Sequence, residues 1–399
     1  MTRGCRRWWK AGLREVLGGV MVGGWIMTRA FAGDFAEDLN RNFRRVAALP
    51  SGQTSASVPH PLGPATSPER WRPHDGNRPT QRDWHLALNV TQDAAPRIWK
   101  VPSAPAQSVA FDPQGTQLVS ALGDNTLLIW DVAQGKPVRI LKGHSGPVRG
   151  ARFSPDGKSI ASAGDDGTVR VWDAATGMAK LRLAGTGPAL HSVVFSPDGT
   201  RLASGGDDQT VTLWELPTGH QLATFTGGAG SIGGLAFRPD GKHLVSVGGD
   251  TVRQFTEVCV WDVAQGRQLA HWKTGGTSLM AVAYSPDGER IATAGGDPAT
   301  QQAELKIWNA TSGRELLALD GHTDALLTVT FSPNGQQLAS GGRDGKVTTW
   351  NASTGKEIFS RTEPQTWITS LAFSPDGKHL AASTLNQTIH LHSLKEPAR

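Results

Sequence analysis

The stretch Phe153-Ser154-Pro155-Asp156-Gly157 leads on to Asp165-Asp166-Gly167 and closes on Val171-Trp172-Asp173, and the same grammar recurs along the chain. An aromatic residue followed by a Pro-x-Gly turn stands at Phe111, Phe153, Phe195, Phe237, Tyr284, Phe331 and Phe373, at spacings of 42, 42, 42, 47, 47 and 42 residues. Self-similarity at this period marks a repeat architecture of seven units. Trp follows 19 residues on at Trp130, Trp172, Trp214 and Trp350, and 24 residues on at Trp261 and Trp308. In each unit Pro takes the second turn position, where its fixed φ suits a type I turn, and Gly the fourth. A short apolar strand such as Leu338-Ala339-Ser340 comes next, then a turn at Asp344-Gly345 and an alternating strand ending at Trp350. A fourth strand follows a Thr-Gly or Gln-Gly turn, as in Val138 to Leu141. Four short strands cannot bury a face alone, but stacked radially each sheet covers the next.

Residues 96–394 resemble a WD40 repeat protein of the bacterial type, and the resemblance implies an all-β fold: a seven-bladed β-propeller of four-stranded antiparallel blades. Trp-Asp closes the third strand at Trp130-Asp131, Trp172-Asp173 and Trp261-Asp262, varies to Trp214-Glu215, Trp308-Asn309 and Trp350-Asn351, and is lost at His392-Ser393. Gly-His survives at Gly143-His144 and Gly321-His322. A turn Asp thirteen residues after the aromatic stands at Asp124, Asp166, Asp208, Asp250, Asp297 and Asp344, and becomes Asn386 in the last unit. In the family this Asp meets backbone N–H groups and a His, itself tied to a Ser hydroxyl that meets the Trp indole N–H. The complete sets here are His144, Ser162, Asp166, Trp172 and His322, Ser340, Asp344, Trp350. Each contains the residue types of a nucleophilic triad, but the Ser sits at a strand end inside a blade with no oxyanion site indicated, so both sets are read as structural. The seventh unit ends at Leu394 without a fourth strand, while Arg97-Ile98-Trp99-Lys100 stands 42 residues before Arg139-Ile140-Leu141-Lys142. The N-terminal segment is therefore expected to supply the outer strand of the last blade and remove its open edge.

Several chemical motifs fail on context. Gly228-Ala229-Gly230-Ser231-Ile232-Gly233 matches a dinucleotide fingerprint by letter but joins two strands and opens no helix. Gly157-Lys158-Ser159 lacks the Gly five residues earlier that a phosphate loop requires, since Arg152 stands there. His390 and His392 alternate onto one face of a strand, yet two ligands without a nearby carboxylate make a poor metal site, and loss of the Trp position accounts for His392. Neither a catalytic residue nor a cofactor or metal is expected. Function then falls to surfaces. In the family, the rim carrying the loops between fourth and first strands and between second and third strands is the usual partner face. The five extra residues after Asp250 and the five after Asp297 fall there, as do Trp367, Arg343, Asp165 and Asp207. An exposed Trp beside an Arg has the composition of an interface anchor.

The chain has 399 residues and a net charge of +5. That charge resides in residues 1–32, where Arg3, Arg6, Arg7, Lys10, Arg14 and Arg29 face only Glu15, while residues 33–399 balance to zero. A neutral remainder offers no net field for phosphate, which disfavours nucleic acid as a partner. Cys5 and Cys259 are too few for a disulfide framework or a multi-cysteine metal site. The basic start, the apolar run Val16–Met27 and Ala30-Phe31-Ala32 before Gly33 form the three-part pattern of a cleaved export signal. Twelve apolar residues fall short of a bilayer span, so a membrane anchor formed by residues 16–27 is the weaker alternative, and a start at Met21 or Met27 would leave a cytoplasmic protein. Phe35, Leu39, Phe43 and Val46 predict a short amphipathic helix over 33–49, and seven prolines between Pro50 and Asp83 predict a flexible linker over 50–95. The expected protein is a periplasmic or secreted, monomeric, non-enzymatic scaffold whose rim binds a protein or peptide, touching a membrane only through an uncleaved N-terminal segment. An enzyme with its site at the central channel is the alternative from another class.

Overall fold

The computed structural model describes residues 95–394, apart from 186, 227, 229, 251–254 and 277. The expected signal or anchor over 1–32, the helix over 33–49 and nearly all of the linker over 50–95 lie outside the described residues. Among the described residues there are 28 strands, β1 to β28 in chain order, and no helix. They form seven four-stranded antiparallel sheets, and the innermost strands of neighbouring sheets touch all the way round, including the first against the last. This is a closed seven-bladed propeller.

Blade 2 shows how the repeat folds. Its strands are β6 (Val148–Phe153), β7 (Ser159–Gly164), β8 (Thr168–Asp173) and β9 (Ala179–Ala184), from the channel outward. At the Pro-Asp-Gly turn, Gly157 N–H donates to Ser154 O at 2.8 Å, and Gly157 takes φ 73°, which a Cβ would disfavour. Ser154 Oγ donates to Asp156 at 2.5 Å and accepts from Ser159 N–H at 2.9 Å, so the side chains of the turn also fix where β7 begins. Burial runs between blades rather than within them. Val119, Ile129 and Leu141 of blade 1 pack with Phe153, Ile160 and Trp172 of blade 2 in one buried cluster, and the other blade interfaces repeat this pattern.

The last blade joins both ends of the described chain. Its strands are β26 (Ile368–Phe373), β27 (His379–Thr384), β28 (Thr388–Ser393) and, outermost, β1 (Arg97–Lys100), with Trp99 opposite Ile389 and Arg97 opposite Leu391. Trp99 is 4% exposed and stacks on Trp130 of blade 1 with ring centroids 5.7 Å apart. The closing strand is thus held by a buried aromatic as well as by its ladder.

Blades 4 and 5 depart from expectation in one respect. Their extra residues do not form rim loops alone. β15 (His243–Asp250) and β16 (Phe255–Asp262) are eight residues each, as are β19 (Arg290–Asp297) and β20 (Gln302–Asn309), against six in β7 and β8. Four of each five added residues lengthen the hairpin. Asp250 and Asp297 consequently pair with Phe255 and Gln302 at the strand ends and are not counterparts of the turn residue Asp166.

Candidate interaction face

Each innermost strand carries a β-bulge at the same place, four residues before its aromatic. The ladder skips Gln107, Arg149, His191, Gly233, Met280, Leu327 and Thr369 in turn. A bulge turns one residue out of the pleat and re-aims its side chain. All seven residues line the central channel, whose volume is about 660 Å³. Residues at this position point at the channel mouth because the local ladder is broken there, and their recurrence four places before the aromatic could have been read from the repeat itself. The ring is two-sided. Gln107, Arg149, His191 and Thr369 are polar, whereas Gly233, Met280 and Leu327 are apolar and form one arc over blades 4 to 6.

The four rim residues singled out from sequence sit around this ring. Backbone N–H groups of Asp165, Asp207 and Arg343 donate to Pro147 O, Ala189 O and Ala325 O, and Leu385 N–H donates in the same way to Trp367 O. Equivalent bonds place all four residues at one level of the propeller. Asp165 accepts two bonds from Arg149, at 2.8 and 2.6 Å, so a bulge residue and a rim residue form a bidentate pair. Asp207 lies 2.7 Å from His191 Nε2 and accepts from Ser231 Oγ at 2.8 Å; the His191 bond, ahead of opposing burial, holds its carboxyl below the usual range. The Arg343 guanidinium lies over the half-buried Trp367 ring, 4.1 Å from its centroid. Blade 2 therefore presents an ion pair, blade 3 a histidine bonded to a carboxylate, and blades 6 and 7 a cation stacked on an aromatic.

Below the rim lie the polar networks. Trp172 Nε1–H donates to Ser162 Oγ at 2.9 Å, Ser162 Oγ meets His144 Nε2 at 2.7 Å, and His144 Nδ1 meets Asp166 at 2.9 Å. Asp166 also accepts from the backbone N–H groups of Ser145 and Thr168. Burial works to raise the Asp166 carboxyl, but the bonds from Ser145, His144 and Thr168 outweigh it and bring it down to about 2. Burial lowers His144 against the pull of Asp166, so the imidazole is neutral near pH 7 and relays one direction of donation from indole to carboxylate. In blade 6, His322 lies 2.8 Å from Asp344 and from Ser340, and Trp350 donates to Ser340 at 2.8 Å. Ser162 and Ser340 are both 0% exposed, which leaves neither hydroxyl open to a substrate. The Trp–hydroxyl bond recurs beyond the two complete sets, to Ser120, Ser204, Ser246 and Thr293, at 2.8 to 3.0 Å.

Blade 7 keeps the strand positions and changes the residues. Ala382 faces His390 across the ladder where Ser162 faces Arg170, and His392 faces Leu380 where Trp172 faces Ile160. The expectation that His390 and His392 lack a nearby carboxylate does not hold. Glu363, just after β25 (Glu357–Thr362), places Oε1 3.1 Å from His390 Nδ1. All three residues are buried, and one donor atom from each lies within 4.8 Å of the others. Sequence reading missed Glu363 because it belongs to the loop entering blade 7, 27 residues before His390. The Gly-rich stretch 228–233 behaves as read, since Ser231–Phe237 is a strand. Cys259 is buried, and burial pushes its thiol up to about 12, so it is no nucleophile.

A family model described as "WD domain, G-beta repeat" matches residues 98–131, 135–173, 180–215, 219–255, 313–351 and 355–393, more than half of the chain. The chain belongs to the WD40 repeat family. The unmatched interval, 256–312, holds most of the two lengthened hairpins. A comparison with curated proteins gives no match.

Proposed function

We propose that this WD40 propeller is a non-enzymatic interaction scaffold that presents its channel-mouth rim to a protein or peptide. WD40 propellers typically serve as protein-interaction scaffolds, which supports the coarse reading. One observation carries the finer one: the bulged ring and the rim residues Asp165, Asp207, Arg343 and Trp367 gather at a single end of the channel, polar over blades 1 to 3 and apolar over blades 4 to 6. A segment with a charged group at one end and an aliphatic side chain at the other would match both arcs. Aromatic and Arg side chains dominate the energetics of such contacts, which makes Arg343 and Trp367 the anchors. The N-terminal pattern supports export with cleavage after Ala32, and thus a periplasmic or secreted address in a bacterial cell.

Affinity capture with the mature chain, with Trp367→Ala and Arg343→Ala as controls, tests the reading. Both variants should retain the wild-type melting temperature within about 2 °C and lose most of the captured partner. Unfolding of either variant, or undiminished capture by both, would overturn the assignment. A mass measurement of the exported protein should show Gly33 as its first residue.

A further inference from the structure

In the seventh blade the polar network is replaced by Glu363, His390 and His392, whose donor atoms lie within 4.8 Å of one another. In blades 2 and 6, the residue before the network His is Gly143 or Gly321, and a Cβ there would sit 3.1 Å from the edge of the Trp172 or Trp350 ring. The indole leaves little room at that position in blades 2 and 6, although Val101 and Thr274 occupy it beside Trp130 and Trp308 in blades 1 and 5. In blade 7 the indole is replaced by the smaller His392, and the position of that glycine is taken by Glu363. Ala382 stands where Ser would have received the indole N–H. Three substitutions therefore fit one another: the ring shrinks, a carboxylate enters the vacated volume, and the hydroxyl that served the indole disappears.

The outcome is a pocket of donors that do not satisfy one another. His392 is 3% exposed, and its Nε2 is buried without a hydrogen-bond partner. His390 Nδ1 faces Glu363 Oε1 at 3.1 Å but out of line for a hydrogen bond. The other nitrogen of His390 lies 2.9 Å from Thr388 Oγ1, which in turn contacts Thr384 Oγ1 at 2.7 Å. An imidazole whose far nitrogen is held by an oxygen has its near lone pair oriented for a metal. Buried nitrogens left unpaired destabilise a fold, so such an arrangement is expected to have a purpose.

We propose that Glu363, His390 and His392 bind a divalent transition-metal ion of the zinc type. Two imidazoles and a carboxylate, with a fourth position left for water, are the donor set that Zn²⁺ takes, while Ca²⁺ and Mg²⁺ prefer all-oxygen shells. Zinc bonds of about 2.0 Å in a tetrahedron put donor atoms about 3.3 Å apart, a spacing that His390 and Glu363 already approach. His392 lies within 4.8 Å of both and must draw closer to complete the site. Arg361 Nε donates to Glu363 Oε1 at 3.2 Å and is partly exposed; a carboxylate has lone pairs enough to keep this bond and take a cation, or Arg361 swings outward. Bound metal would pin β28 to the loop from blade 6, in the blade where the ring closes.

The test uses the full chain stripped with a chelator and titrated with Zn²⁺ alone by calorimetry, with Co²⁺ as a spectroscopic probe. The expected result is one-to-one binding at micromolar Zn²⁺ or below, a raised melting temperature, and visible bands of a four-coordinate cobalt centre. The triple variant Glu363→Gly/Ala382→Ser/His392→Trp restores the glycine, Ser and Trp of blade 6 and should fold while losing affinity by more than about tenfold. Should it fail to fold, Glu363→Gln and His390→Gln serve the same purpose with smaller changes of shape. Absence of saturable binding by the wild type at micromolar Zn²⁺, or a loss below about tenfold in folded variants, overturns the proposal. The variants also separate this site from His60, His74 and His85, which lie far from it in sequence.

Discussion

Blades 2 and 7 are built on the same strand positions and hold together by different means. In blade 2 the hydrogen-bonded partners of the network are close in sequence: Trp172, Ser162, His144 and Asp166 form one chain of hydrogen bonds, and the outer strand follows directly in sequence. In blade 7 the Ser is Ala382, the Trp is His392 and the turn Asp is Asn386, while the outer strand β1 comes from the opposite end of the propeller. Once the indole goes, the hydroxyl that received it has no task. What blade 7 lacks in local bonds it recovers through ring closure.

The comparison breaks most visibly if closure is removed. Truncation after Lys100 should leave Ile389 and Leu391, now 0% and 2% exposed, facing water along an unpaired edge. It also deletes Trp99, a buried aromatic whose loss alone costs about 3–5 kcal/mol. The melting temperature should fall by more than about 10 °C relative to a chain starting at residue 91, which keeps β1 whole. Equal midpoints for the two truncations would show that blade 7 stands without its borrowed strand. No single strand deletion can be compared with this in blade 2, because all four of its strands are continuous.

A smaller change tests the local network. Ser162→Ala removes the one oxygen that receives the Trp172 N–H and meets His144 Nε2. Two buried nitrogens lose their partner, at about 1–3 kcal/mol each, so thermal or denaturant unfolding should register a loss of about 2–6 kcal/mol. Ala382→Ser in blade 7 supplies the same hydroxyl where no indole awaits it, and should change stability by less than about 1 kcal/mol. Similar losses at both positions would mean that burial of the strand, rather than the network, sets the cost.

The difference between the blades was only half legible beforehand. The fold could be read because its signals are local and repeated: Pro and Gly of the turn, the aromatic before them, and the Trp a fixed distance on. Closure could be read because Arg97-Ile98-Trp99-Lys100 aligns with Arg139-Ile140-Leu141-Lys142 at the repeat period. Departures were harder. Asp250 and Asp297 occupy the right column, yet the two residues added to each strand of the hairpin carry each Asp to a strand end, which spacing does not reveal. Glu363 stands one place before the His column, beside Pro364, and its meeting with His390 depends on how the blade 6 to blade 7 loop folds over β28. The bulge residues were legible in principle, being four before each aromatic, but only the structure shows that the ladder skips them.

Acid titration gives the finest test of the contrast. Asp166 falls from an ordinary 3.8 to about 2 in the fold, so the unfolded chain takes up a proton first as pH drops. Its contribution is fully present above the unfolded value and is lost as pH falls from about 4 to about 2, amounting to about 2 kcal/mol. His144, lowered by burial, acts in the same direction at higher pH, since below about 6.5 the unfolded imidazole is protonated and the buried one is not. Stability should therefore decline in two stages on acidification. Asp166→Asn removes one of several carboxyls lowered in the fold and should make the lower stage shallower by its share without reversing the upper one. In blade 7 the equivalent residue is already Asn386, whose backbone N–H donates to Thr366 Oγ1 and whose amide donates to Gln365 O. Asn386→Asp adds a carboxyl with no imidazole at the His column, where Pro364 stands, and should leave the acid limb as it was. Denaturant unfolding from pH 7 to pH 2 measures all three; a curve for Asp166→Asn parallel to the wild type would show that the blade 2 network contributes nothing to acid sensitivity.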